Sequence, residues 1–422
     1  MRSFIAIASC LLAVPVLAQT TASPAEKAAG WIVLFDGQGT ENFRGYKQDR
    51  FPEKGWKVED GALRVIAGGG GGDIVTQGNW EDFELALEFK CAPGANSGIM
   101  YRVDETLQYP WMTGPEFQIL DDAKHKDGLT ATHSVGALYD MVAPANKPEV
   151  KAGEWNSARI RIRNGLLTHY LNGAKVVEAR IDDESWTSMI AKSKFKDMKG
   201  FGIQPKGHIA LQDHGDDVWY RNIKVRDLSA KMPGEVELFN GSDLSGWAMT
   251  PPASEVPAPV WSVVGGVLKC TGEPAGYIRT KGKFTNFVLK FEWRWPDKPG
   301  NSGALVRVQE PDKVWPKSIE AQVRHTSAGD FWNIDEFPMK TDEARQKGRR
   351  TDATHRNERP LGEWNEYEIL VDGGSVVLTV NGEELNRATD AAELPGSIAL
   401  QSEGAPIEFR RIRIAPIGPS GK

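Results

Sequence analysis

Along much of this chain apolar side chains recur at every second position. Phe83, Leu85, Leu87 and Phe89 alternate with mostly polar neighbours, and Ile160 and Ile162 sit between Arg159, Arg161 and Arg163. The pattern returns at Phe287, Leu289, Phe291 and Trp293, and again at Tyr367, Ile369 and Val371. Successive side chains of a strand point to opposite faces, so a period of two marks strands with one buried face. The runs are short and are bounded by Asp60-Gly61, Asn164-Gly165, Asn172-Gly173, Asp372-Gly373 and Asn381-Gly382. Such dipeptides accept the positive φ of tight hairpins, which predicts antiparallel strands. Nothing alternates with long helical stretches, which argues against a βαβ architecture.

The pattern is also duplicated. Leu34-Phe35-Asp36-Gly37 returns as Leu238-Phe239-Asn240-Gly241, and Asn96-Ser97-Gly98 as Asn301-Ser302-Gly303. Gly153-Glu154-Trp155-Asn156 matches Gly362-Glu363-Trp364-Asn365, and Ile209-Ala210-Leu211-Gln212 matches Ile398-Ala399-Leu400-Gln401. The copies are 209 positions apart at Asn172 and Asn381 but 189 apart at Gln212 and Gln401. Copy one therefore carries an extra segment, placed within Asp182 to Phe201, where Ser185 to Lys199 suits a short helix. Units of this length each bury their own core, unlike solenoid repeats. The sequence thus predicts an all-β chain of two tandem sandwiches, over residues 25–230 and 231–422, each a pair of antiparallel sheets with one sheet presenting a concave polar face.

Composition adds a compartment. Arg2, the apolar run Phe4 to Leu17 and Val16-Leu17-Ala18 read as an export signal over residues 1–18, cleaved after Ala18. Ile7-Ala8-Ser9-Cys10 resembles a lipoprotein box but falls inside that apolar run. No other stretch approaches the length of a membrane span. The expected product is soluble and exported, most simply to a bacterial periplasm. Cys91 and Cys270 then remain, at non-equivalent places in the two copies, and are expected as free buried thiols, the alternative being a bridge between the domains. A net charge of -6 without a long basic run argues against nucleic acid as a partner. The sequence sets no oligomeric state.

Candidate chemistry comes from comparing the copies. In Glu116-Phe117-Gln118-Ile119-Leu120-Asp121 the strand period puts Glu116 and Gln118 on one face, and copy two keeps the pair as Glu320 and Gln322. A carboxyl and an amide pointing the same way suit hydroxyl-rich ligands. Histidine separates the copies: five of the seven lie in copy one. His169 falls opposite Leu378, and His214 opposite Glu403. An imidazole titrates near neutrality and serves as acid or base, so both are candidates for proton transfer. Arg102 and Arg307 follow the shared Asn-Ser-Gly turn and could clamp a sugar oxygen, or pair with a carboxylate of their own sheet. Asp121, Gln212 and Tyr139, the last in a long irregular stretch with Asp140, are further candidates for substrate contact. Gly68 to Gly72 lacks the Lys-Ser/Thr of a phosphate loop and reads as a flexible turn. No cofactor is called for, although a His/carboxylate metal site stays open because no tight ligand spacing marks or excludes one.

These motifs together resemble the 3-keto-disaccharide hydrolase domain family. The resemblance is carried in copy one by Leu34 to Gly37, Asn96-Ser97-Gly98 with Tyr101-Arg102, Glu116 to Asp121, Gly153 to Asn156, His169 to Gly173, Ser193-Lys194-Phe195, and Leu211 to Gly215 leading to Trp219 and Arg221-Asn222-Ile223. Copy two resembles the same family but departs at the His positions, and its Gly329-Asp330-Phe331-Trp332 looks like a variant loop that could contact a glycan through Trp332. The resemblance implies concanavalin A-like jelly rolls that act on glycosides already oxidised at C3. A C3 ketone acidifies the C2 proton, so a base can form an enolate that expels the oxygen at C1, and added water completes a net hydrolysis. On that expectation Glu116 or His169 is the base, His214 the partner acid, and Arg102 with Gln118 hold the ketone oxygen. Copy two would grip glycans through Glu320, Gln322, Arg307 and Trp332. The competing expectations are a non-catalytic carbohydrate-binding protein and a conventional two-carboxylate glycosidase. The latter needs a second acid facing Glu116, for which Asp121 is poorly placed on the strand.

Overall fold

A computed structural model describes residues 21–251, 255–256 and 258–418; the expected export signal, residues 1–18, lies outside them. The chain divides into two compact units. The first contains Val33–Val225, and the second contains Arg226 onward together with Ser23–Ile32. The segment 23–32, whose residues from 25 on are expected with the first domain, clusters with the second for a simple reason. Ser23 and Glu26 form a capping box that starts the helix Pro24–Ala28, and Ala28 and Ala29 bury against Val288, Ala415 and Ile417.

In the first unit an eight-stranded sheet faces a five-stranded one. The smaller sheet runs in the order Phe43–Gly45, Ile74–Thr76, His208–Leu211, Asn96–Val103, Glu116–Leu120, with antiparallel neighbours throughout. The alternation predicts the core: Phe83, Leu85, Phe89, Ile160 and Ile162 from the larger sheet meet Ile99, Phe117, Ile119 and Leu211 from the smaller. Asp60, Asn164, Asn172 and Asn381 hold φ between 48 and 50°, each followed by a positive-φ glycine, as a hairpin turn of two left-handed residues requires. At the fifth expected turn Asp372 pairs with Ser375, so Gly373-Gly374 turn the chain instead. In the extra segment Asp183 caps the helix Glu184–Lys192.

The second unit repeats the design with two eight-stranded sheets. One of them begins with the five equivalents of the smaller sheet, Trp247–Thr250, Gly276–Thr280, Ser397–Ser402, Gly303–Val308 and Ser318–Gln322. Three more strands then extend it: Phe331–Ile334, Arg350–Thr351 and Gln346–Lys347. The expected variant loop at Gly329–Trp332 is thus corrected. Phe331 and Trp332 open a strand whose residues pair with Ser318–Ala321. The architecture is two tandem concanavalin A-like jelly-roll β-sandwiches. Cys91 and Cys270 are free and buried, and among the described residues no helix is long and apolar enough to cross a membrane.

Candidate functional site

The strand Glu116–Leu120 sends Phe117 and Ile119 into the core and Glu116 and Gln118 onto the other face of the five-stranded sheet. Room for the carboxyl comes from the neighbouring strand. A Cβ on Gly98 would lie only 2.0 Å from Glu116 Oε1, and one on Gly303 would lie 2.5 Å from Glu320 Oε1. The Asn-Ser-Gly motif is therefore explained in both copies by the acid it accommodates. Its serine anchors the adjoining strand end: Ser97 Oγ donates to the Gln212 carbonyl at 2.7 Å, and Ser302 Oγ to that of Gln401 at 2.8 Å. The Gln118 amide, oriented by its hydrogen-bonding surroundings, donates to Glu116 Oε1 and to the Ser97 carbonyl, each at 3.0 Å. Glu116 is only 6% exposed. Burial raises its pKa to about 8, with the Lys194 ammonium pulling it down and the Asp73 carboxylate pushing it up.

Those two neighbours stand in different elements. Asp73 precedes the strand Ile74–Thr76, and burial, with the nearby Asp213, raises its pKa to about 7 even though it accepts a backbone N–H from Asp213 at 2.8 Å. Asp213 is itself held by the glycine run, accepting the N–H groups of Gly71 and Gly72 at 3.0 and 2.9 Å. The run is not a loose turn: a Cβ on Gly71 would lie 2.4 Å from the Lys54 carbonyl oxygen. Asp73, Asp213 and His214 line a cavity of about 360 Å³ with Tyr46, Tyr109 and Trp111. On the other flank the Lys194 ammonium lies over the Tyr139 ring, 4.1 Å from its centroid, and burial of that end lowers its pKa while Glu116 and Asp140 raise it. Asp140 joins His133 Nε2 at 2.7 Å to the Lys194 backbone N–H at 2.6 Å, and His133 stacks on Tyr139. The Tyr139 N–H donates to the Glu116 carbonyl, fixing this loop against the edge strand.

Several candidates lie elsewhere than expected. His169 is wholly buried, its Nε2 2.9 Å from the Tyr101 hydroxyl and its Nδ1 3.2 Å from the Gly136 carbonyl, and burial lowers its pKa to about 4. With both nitrogens engaged inside the core it faces no ligand, which removes it as a base. Arg102 gives its guanidinium to the Glu81 carbonyl, and Arg307 is fully buried among the carbonyls of Ala392, Gly373 and Thr285. Neither is placed to clamp a ketone. Asp121 accepts the N–H groups of Gly94 and Ala123 and stabilises a turn rather than a ligand. Gln212 lines the cavity, and its Oε1 has no partner among the described residues. His214 is exposed at the same cavity. Asp73 and His133 escaped sequence reasoning as site residues, while Lys194 entered it only within Ser193-Lys194-Phe195 and Asp140 only beside Tyr139. Among the described residues no group of three or more His, Cys, Asp or Glu is arranged to hold a metal.

The second unit has its own cavity, of about 340 Å³, lined by Glu320, Gln322, Trp332 and Glu403 among others. Burial raises the pKa of Glu320 to about 8, with Glu403 pushing the same way. Among the described residues no lysine lines this cavity, so Glu320 has no counterpart of the Lys194 that acts on Glu116.

Fold and site together define a duplicated jelly roll in which each copy holds a desolvated carboxyl on the outer face of one sheet. The chain belongs to the 3-keto-alpha-glucoside-1,2-lyase-like domain family, whose pattern matches residues 30–226 and again residues 234–415. The chain is 35% identical over 231 residues to a 3-keto-disaccharide hydrolase of Bacteroides thetaiotaomicron, covering 48% of this chain and 79% of that one. Two crystal structures from Parabacteroides distasonis, provisionally assigned as glycosyl hydrolases, are each 32% identical to it. They cover 50% and 47% of this chain and 99% of their own, with TM-scores of 0.46 and 0.37.

Proposed function

We propose that the first unit cleaves 3-keto-glycosides by elimination and hydration. The observation that carries this reading is Glu116: a carboxyl with a pKa of about 8 beside a lysine, in a chain of this family. Glu116 takes the C2 proton, and the electron pair moves toward C3 to give an enolate whose oxygen faces Lys194. Collapse of the enolate restores the ketone and breaks the C1–O bond, and His214 at the rim protonates the departing oxygen. Water then adds at C1, and the proton returned to C2 completes a net hydrolysis. A base with a pKa close to the working pH is stronger than an ordinary glutamate, and an ammonium in a partly dry site stabilises the enolate. Gln118 orients the carboxyl through its hydrogen bond. The setting proposed with it is periplasmic, on the reading of Arg2, Phe4 to Leu17 and Val16-Leu17-Ala18 as an export signal.

The assay compares a 3-keto-disaccharide with the same disaccharide unoxidised. The keto form is cleaved fast and the unoxidised one is inert, kcat/KM climbs with pH up to about 8, and Glu116→Gln lowers it about 10²- to 10⁴-fold. Full activity of that variant sinks the proposal. Asp73 favours one other reading. It is a second buried carboxyl whose charge acts on Glu116, and a conventional glycosidase works with two carboxyls. Cleavage of the unoxidised sugar, abolished by Asp73→Asn, would select it.

A further inference from the structure

We propose that the cavity of the second unit is a separate binding site for a neutral, unoxidised saccharide, gripped between an aromatic wall and the Glu320–Gln322 face. Glu320, Trp332 and Arg350 are direct cross-strand partners on three adjacent strands, so they share one face of the extended sheet. Of those three strands only the one bearing Glu320 has a counterpart in the first unit, where the sheet ends at Glu116–Leu120. The second unit thus kept its buried acid and built a wall beside it.

The wall suits a sugar ring. Trp332 and the half-exposed Trp315 line the cavity with Ile334, and the apolar face of a pyranose packs on such indoles. Opposite them stand groups that match hydroxyls. Glu320 and Gln322 are 4% and 3% exposed. Asn301 Oδ1, on the cavity wall, is buried without a hydrogen-bond partner among the described residues. A buried amide oxygen left unsatisfied is costly, and a ligand hydroxyl removes that cost.

Charge decides the ligand class. Asp330 is paired with Arg356, Arg350 with Asp352, and Arg324 stands against Glu403. Protein partners thus answer most of the charge around the cavity, which favours a neutral ligand over an acidic sugar. Among the described residues no lysine lines this cavity, whereas in the first unit Lys194 acts directly on Glu116.

The experiment uses the full chain carrying Glu116→Gln, so that no substrate turns over, and titrates maltose, trehalose, sucrose, cellobiose and glucuronic acid by calorimetry. At least one neutral disaccharide binds saturably. Trp332→Ala and Glu320→Gln each weaken it tenfold or more, with circular dichroism and melting kept as folding checks. If Trp332→Ala does not fold, Trp332→Phe serves in its place. The proposal falls if no neutral disaccharide binds, if glucuronic acid binds more tightly, or if folded variants bind as before. Because turnover is silenced throughout, the result stands apart from whether the first unit cleaves 3-keto sugars.

Discussion

A carboxyl that keeps its proton near neutrality has lost more hydration than its neighbours restore, and Glu116 and Glu320 share that condition. Their ordinary value is 4.5, and in the folded chain both rise to about 8. Across that window the folded state holds protons that the unfolded state has released, so stability falls as pH climbs from about 4.5 to 8. Glutamine in place of either acid removes the titration while keeping the shape. Glu116→Gln and Glu320→Gln should therefore each raise the melting temperature relative to the unsubstituted chain at pH 8, with the gain fading at pH 5. Equal shifts at both pH values in thermal scans would show that the acids titrate normally. At the same scale, His169 shows why an imbalance between copies misleads. Its partner Tyr101 corresponds to Val306, and His169 itself to Leu378; both of these are fully buried. One copy closes its core with a polar pair and the other with an apolar pair. The loss of His169 from the second copy is thus half of a packing exchange and carries no chemistry by itself.

The strand that Asn96-Ser97-Gly98 opens, and its counterpart Gly303–Val308, each carry a bulge. Arg102 and Arg307 hold φ of 51 and 54°, and the register slips there against His208–Leu211 and Ser397–Ser402. The facing residues must be glycine: a Cβ on Gly207 or Gly396 would lie 2.3 or 2.4 Å from the backbone carbon of the arginine. The arginine side chains then tie the bulge to nearby carbonyls, more completely in the second unit. Arg307→Ala strands several buried carbonyls and should cost about 3 kcal/mol, against about 1 kcal/mol for Arg102→Ala. Urea unfolding of the two variants checks the order, and equal losses would refute it. Period-two alternation exposed the strands because burial acts on every second residue, and Asx-Gly pairs exposed the hairpins because φ is a local property. Glu116 and Gln118 were legible for the same reason. Asp73, Lys194 and the His133–Asp140 pair were not. They reach the site from a glycine turn and two loops, and nothing periodic records which loop folds over a sheet face.

Sequence order and spatial unit part company at the start of the described chain. Residues 23–32 precede the first sandwich yet belong to the second, because two alanines complete an apolar patch with Val288, Ala415 and Ile417. Exposing Ala28, Ala29 and the side chains they cover gives up about 2 kcal/mol of apolar burial. For a unit of about 200 residues that is a drop of roughly 4 to 8 °C in melting temperature. A chain lacking residues 21–29 should lose this from the second unit, even though the deletion sits next to the first. Hydrogen exchange locates the loss: amides of Phe287–Arg294 exchange faster, whereas those of Phe83–Cys91 keep their protection. Ala28→Asp should reproduce the effect without shortening the chain, because it places an unpaired charge in the same patch. Faster exchange confined to Phe83–Cys91 would mean that the segment supports the sandwich it adjoins in sequence, and the partition would have to be redrawn.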